Sequence, residues 1–159
     1  MSVIIRPAVP GDRPLIIAIL ADTTEFAPGD FEVACELLGA YFEDPKMSGY
    51  PTFVAEWGGS IAGYICFGPT PLAEGVWDVY WVAVTRKMRG RGIGRALIAF
   101  AEDEVRRTGG RMVLIETSST EPYVPARQLY LQMGYRIAAV VSDFYKEGDA
   151  KVIFQKKLK

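Results

Sequence analysis

The stretch from Val76 to Thr108 constrains this chain more than any other part of it. Nine residues, Val76-Trp77-Asp78-Val79-Tyr80-Trp81-Val82-Ala83-Val84, are mostly branched or aromatic, the composition of a pleated strand. A basic, glycine-rich turn follows, Thr85-Arg86-Lys87-Met88-Arg89-Gly90-Arg91-Gly92-Ile93-Gly94-Arg95. From Gly92 to Thr108 the residues Ile93, Leu97, Phe100, Ala101 and Val105 recur at helical spacing, and Gly109-Gly110 stops the pattern. A strand therefore feeds a helix through a turn carrying five cations. Glycines let backbone approach a ligand closely, N–H groups at a helix start point outward, and the helix dipole favours negative charge there. A diphosphate group is the natural guest of such a turn.

The flanking sequence builds a sheet with helices around this junction. Val3 to Arg6 reads as a strand closed by Pro7 and Pro10, and Asp12 as the cap of a helix with Pro14 in its first turn and a stripe of Leu15, Ile16, Ile19 and Leu20. Asp30 reads as the cap of a second helix, with Phe31, Ala34, Leu38 and Tyr41 on one face and an end near Pro45. Thr52–Trp57 and Ile61–Phe67 are strands joined by a Gly58-Gly59 hairpin turn. Met112–Glu116 is short and nearly all apolar, as a strand buried on both faces would be. A polar loop from Thr117 to Tyr123 leads to a helix over Pro125–Met133 ended by Gly134, then strands over Tyr135–Val141 and Val152–Phe154 with Gly148-Asp149 between them. The order is β-α-α-β-β-β-α-β-α-β-β, an α/β chain with a mixed sheet, and 159 residues suit one domain over 1–159.

Composition excludes several chemistries. With no histidine and two cysteines, a His/Cys metal site or a His-based triad is ruled out, so no metal is expected. Cys35 and Cys66 lie in apolar surroundings; a disulfide is permitted, but buried reduced thiols and a cytoplasmic location are the expectation. A net charge of −1 argues against nucleic acid as a partner, and no apolar run approaches a membrane span. The charges are unevenly placed. Asp22, Glu25, Asp30, Glu32, Glu36, Glu43 and Asp44 fall between positions 21 and 45 with no Lys or Arg among them.

A dinucleotide fingerprint starting at Gly90 would need a third glycine where Arg95 stands, and a Walker loop would need Gly-Lys-Ser/Thr. The spacing that fits is Arg-x-x-Gly-x-Gly at Arg89, Gly92 and Gly94, and it resembles the acyl-CoA signature of the GNAT superfamily of N-acetyltransferases. Ala126-x-x-Leu129-Tyr130-x-x-x-Gly134-Tyr135 resembles that family's later motif, and the element order of the whole chain is similar too.

The resemblance implies acetyl-CoA as donor. Its pyrophosphate would sit on the backbone of Arg89, Gly90, Arg91, Gly92, Ile93, Gly94 and Arg95, and its pantetheine arm along Val82 and Val84, with the Val82 N–H facing the thioester oxygen. Many relatives carry Asn where Tyr123 stands, a departure at a residue expected to contact CoA. Tyr130 would act as acid to the leaving thiolate, since a thiol near 8.5 and a phenol near 10 are close in proton affinity. Asp78, eleven residues before Arg89, is the candidate base, with Glu116 in reserve. In this fold the segment between the first two helices lines the acceptor pocket. Glu25, Asp30, Tyr80, Glu116 and Tyr145 are the candidate acceptor-binding residues, and the acidic segment suggests a cationic amine on a small molecule or a protein. Three alternatives stand beside this reading: a transferase using a longer acyl-CoA, a CoA-binding regulatory module without turnover, and a dinucleotide domain, against which the missing third glycine argues. Many relatives form homodimers.

Overall fold

The computed structural model describes residues 2–23, 26 and 29–159. The elements are β1 Val3–Pro7, α1 Arg13–Ala21, α2 Asp30–Glu43, β2 Thr52–Trp57, β3 Ser60–Pro69, β4 Val76–Val84, α3 Ile93–Arg107, β5 Met112–Ser118, α4 Val124–Gln132, β6 Arg136–Lys146 and β7 Asp149–Lys157. This is the expected α/β order, with a seven-stranded mixed sheet running β1-β2-β3-β4-β5-β7-β6. β4 and β5 are parallel, whereas β1–β2, β2–β3, β5–β7 and β6–β7 are antiparallel. None of the described helices is long and apolar enough to cross a membrane. The chain falls into two compact units, Met1–Gly68 with Tyr80–Asp103, and Pro69–Val79 with Glu104–Lys159.

In the first unit, β3 is buried along almost its whole length because helices need cover on both of its faces. Tyr64 and Cys66 join Ile16, Ile19, Leu20, Ala34, Leu38 and Tyr41 of α1 and α2 in one apolar cluster. On the other face Phe53 stacks on Phe67 and meets Phe100 of α3 edge-on. Fully burying side chains such as Ile16, Leu20 and Leu38 stabilises by about 1.5–3 kcal/mol each. Gly63 marks a close approach: a Cβ there would lie 2.9 Å from the Ala83 carbonyl oxygen and 3.2 Å from Leu97. Both cysteines are free thiols.

Three local expectations in this unit are corrected. Asp12 makes no capping bond to α1. Arg6 captures its carboxylate at 2.7 and 3.0 Å, and the Val9 N–H donates to it at 2.8 Å. The Arg6 guanidinium holds that carboxyl below its usual range. Asp30 is the first residue of α2 and the cap is Gly29, at φ 96°, so the Asp30 and Glu32 carboxylates act on the helix dipole from within the first turn. Leu15 is 52% exposed and lies off the buried stripe of α1.

In the second unit, β4 and β5 pair through four positions, Val76↔Met112 to Val79↔Ile115. Along β5 the residues Val113, Ile115 and Thr117 are buried while Leu114 and Glu116 are not, so this strand is buried on one face and not on both as expected. Gly134, at φ 93°, ends α4, where the Tyr135 N–H donates to the Tyr130 carbonyl at 3.0 Å. β5, β6 and β7 all outrun their expected limits. Cross-strand pairing carries the ladder past the apolar runs, into the buried polar residues Thr117 and Ser118 of β5 and Asp149 of β7, and the final hairpin closes at Lys146↔Asp149.

Candidate functional site

The donor loop lies wholly in the first unit. β4 delivers the chain to Thr85, whose N–H donates to the Ala62 carbonyl at 2.7 Å, and a single turn of 3₁₀ helix spans Arg86–Met88. Gly90 and Gly92 then take φ 81° and 82°, the left-handed region that side-chain-bearing residues avoid. These two reversals bring the chain into α3, whose first intrahelical bond runs from the Ala96 N–H to the Gly92 carbonyl at 3.0 Å. The N–H groups before it belong to a helix N-terminus and point along the axis. Arg86, Lys87, Arg89, Arg91 and Arg95 are all exposed around this turn. Arg89 Nε donates to the Val84 carbonyl at 3.3 Å, and the Arg91 guanidinium lies 5.9 Å from the Trp57 ring centroid. Backbone donors, a helix dipole and exposed cations on one turn fit a diphosphate such as that of CoA.

The acid–base candidates lie in the second unit, on opposite faces of its strands. Asp78 pairs with Leu114, so it shares a face with Glu116 two residues on. Burial pushes the Asp78 carboxyl above its usual range, and the nearby Glu116 charge adds to that. A Thr70 hydroxyl donating to Asp78 at 2.7 Å and the Lys151 ammonium act in the opposite sense. Glu116 is held by Lys151 at 3.1 Å. Tyr130 packs edge-on against Phe154 with centroids 5.3 Å apart, and Phe154 is in register with Ile115, on the other face. Tyr130 is 5% exposed, and burial pushes its phenol up to about 12. That places the phenol further from a thiol near 8.5 than a free tyrosine is.

A family model described as the acetyltransferase (GNAT) family matches residues 17–135, which span the glycine loop and the Tyr130 helix. The chain belongs to the GNAT acetyltransferase family. A GNAT-family protein from Desulfovibrio desulfuricans is 38% identical, with a TM-score of 0.92 over 98% of this chain and 99% of that one. An uncharacterised N-acetyltransferase of Methanocaldococcus jannaschii is 31% identical over 84% of this chain and 89% of its own length. A Salmonella typhimurium protein solved with its cofactor acetyl-CoA shares the fold at 23% identity and a TM-score of 0.78, over 100% of this chain and 95% of that one. This chain is thus an acyltransferase of the GNAT type.

The remaining sequence candidates fall into place unevenly. Glu25 lies outside the described residues. Asp30 and Tyr80 belong to the first unit, where Tyr80 meets Tyr50 edge-on at 5.5 Å. Phe26 packs on Trp81 at 5.0 Å in the same unit. Glu116 and Tyr145 belong to the second unit and are linked there. Lys151 joins Glu116 to the Phe144 ring, 4.3 Å from its centroid, and Phe144 meets Tyr145 at 5.0 Å. Tyr123 closes a 3₁₀ turn by donating its N–H to the Thr120 carbonyl at 3.1 Å.

Two residues in contact with the candidate site residues or their strands escaped the sequence reading. Lys151 reaches Glu116 from a strand paired at a distance in sequence, and no local pattern announces that. Arg127 donates to the carbonyls of Ser118 at 2.7 Å and Thr120 at 2.9 Å, tying the start of α4 to the end of β5. It occupies a variable position of the second motif, three residues before Tyr130. The Ser118 hydroxyl extends the clamp by donating to Asp149 at 2.6 Å.

Proposed function

We propose that the protein transfers an acetyl group from acetyl-CoA to a primary amine by direct attack within a ternary complex. The observation that carries this reading is the junction of β4 and α3, where two glycines at φ 81° and 82° and five exposed cations build a diphosphate cradle. Arg89, Gly90, Arg91, Gly92, Ile93, Gly94 and Arg95 hold the pyrophosphate, and Val82 and Val84 hold the arm that leads to the thioester. The Val82 N–H faces the thioester oxygen as charge develops there. Asp78 receives the amine proton, through water, and its raised proton affinity makes it a better base than an ordinary aspartate. Tyr130 is the acid at the departing thiolate, giving the sulfur a hydrogen bond or its proton.

The acceptor is a cationic amine on a small molecule or a protein segment. The acidic residues between α1 and α2 raise its local concentration, and the aromatic rings of Tyr50 and Tyr80 in the same unit suit a cation. Arg86 lies 4.0 Å from Asp22 and neutralises part of that field.

The test is thiol release from acetyl-CoA across a panel of polyamines, aminoglycosides, basic peptides and neutral amines. Turnover with a cationic acceptor, with KM raised by neutralising Glu25, Asp30 and Glu32, supports the reading. Preference for neutral amines, or an unchanged KM, removes the acceptor assignment. Faster turnover with a longer acyl-CoA replaces the donor, and CoA binding with no turnover on any amine converts the protein to a binding module.

A further inference from the structure

In the second unit the strand register brings three charged side chains onto one face of the sheet. Asp78 stands opposite Leu114, Glu116 follows two residues on, and Lys151 stands opposite Ser118, so Asp78, Glu116 and Lys151 share that face from β4, β5 and β7. The Lys151 ammonium lies 3.1 Å from the Glu116 carboxylate and 4.3 Å from the Phe144 ring centroid. Phe144 sits where β6 leaves its register with β7, between Val141 and Lys146. A carboxylate on one side and a ring on the other hold the lysine, and only 17% of its side chain is exposed. From this arrangement we infer that Lys151 is a positioning residue for the transfer reaction: it offsets the Glu116 charge so that Asp78 stays an ionised carboxylate, ready to take the proton of the acceptor amine. The inference rests on the reading of Asp78 as the base.

Like charges on adjacent strands resist ionising together, and a base that already carries a proton accepts none. One cation beside both carboxylates lowers the cost of the doubly ionised state. The groups that act on Asp78 are the Thr70 hydroxyl, at 2.7 Å from just beyond β3, Glu116 from β5 and Lys151 from β7. Burial first, then the Glu116 charge, favours the acid, while the Thr70 bond and Lys151 favour the carboxylate. Removing Lys151 alone leaves two facing carboxylates and raises the proton affinity of Asp78. Removing the Glu116 charge alone leaves the cation and lowers it. Removing both returns Asp78 towards its starting point. A partly exposed ion pair adds little to stability, so a lysine that only packed or paired would not produce changes of opposite sign.

The experiment takes two readouts on the full chain. Carbon NMR titration follows the Asp78 carboxyl without turnover, and the pH profile of kcat/KM follows the reaction with acetyl-CoA and the best acceptor of the amine panel. The expected result is that Lys151→Met moves both the Asp78 titration and the acid limb to higher pH. Glu116→Gln moves both to lower pH, the double variant lies near the wild type, and Lys151→Arg keeps the wild-type profile. Added salt narrows the differences. Should Lys151→Met fail to fold, Glu116→Gln and Lys151→Arg still decide the sign. An Asp78 carboxyl that ignores these substitutions, or moves the same way in both single variants, overturns the inference and leaves Asp78 as base untouched. A carboxyl that moves as expected while the acid limb stays in place removes Asp78 as the base, and with it the role of Lys151 in the reaction.

Discussion

Replacing Tyr130 by Phe separates a chemical role from a packing role because it removes the hydroxyl and keeps the ring. The ring keeps its edge contact with Phe154 at 5.3 Å and its tilted contact with Tyr135 at 6.2 Å, so the apolar burial is retained. The hydroxyl alone is lost. Burial raises the proton affinity of that hydroxyl to about 12. Losing it while the ring stays should leave stability within about 1 kcal/mol of the wild type. Catalysis should respond far more. A fixed donor aimed at developing charge is worth about 2.7–4 kcal/mol, so kcat should fall by about 10²–10³. KM for acetyl-CoA should stay within a few-fold, because the bond strengthens only as the sulfur takes charge. Thermal unfolding together with thiol release under saturating donor measures both effects on one preparation. A variant that keeps more than a third of wild-type kcat would show that Tyr130 packs and does nothing to the leaving group.

Other expectations follow from the same geometry. Arg127→Ala removes two short charge-assisted bonds to Ser118 and Thr120 and should destabilise by about 2 kcal/mol while lowering kcat more than it changes KM; Arg127→Lys should recover part of both. Asp78 binds its proton more tightly folded than unfolded, so stability falls as pH rises from 3.8 through the raised value; Asp78→Asn should therefore gain stability at neutral pH relative to acid pH and lose the acid limb of kcat/KM. Gly63→Ala places a methyl 2.9 Å from the Ala83 carbonyl, and calorimetric unfolding should show a loss of about 1–3 kcal/mol as β4 is pushed from β3.

The limits of β4 were legible to the residue because branched and aromatic side chains fill it and a glycine-rich turn closes it. The same holds for the loop, since Gly90 and Gly92 stand where the backbone turns left-handed and no other residue does so cheaply. Asp12 was misread because a distant partner, Arg6, competes for its carboxylate more strongly than the helix end does. The length of β6 was hidden because both faces of this edge strand meet water, which erases the alternation that marks a strand, and that of β7 because its two ends are mostly polar. Lys151 could not be found by spacing at all. Its link to Glu116 exists only through the β5–β7 register.

The central claim is that the Gly90–Arg95 turn is the seat of acetyl-CoA, and calorimetric titration tests it most directly. Acetyl-CoA, with NAD as control, would be titrated into the wild type, Gly92→Ala and Gly92→Glu. Nothing lies within 4 Å of a Cβ built at Gly92, so its cost to the fold is the left-handed backbone alone, about 1–2 kcal/mol, shared by both variants. Glu adds a negative charge where the pyrophosphate belongs. The account predicts saturable acetyl-CoA binding by the wild type, weaker binding by Gly92→Ala, none by Gly92→Glu, and no heat from NAD. Binding that survives Gly92→Glu, or a well-folded wild type that ignores acetyl-CoA, would contradict it.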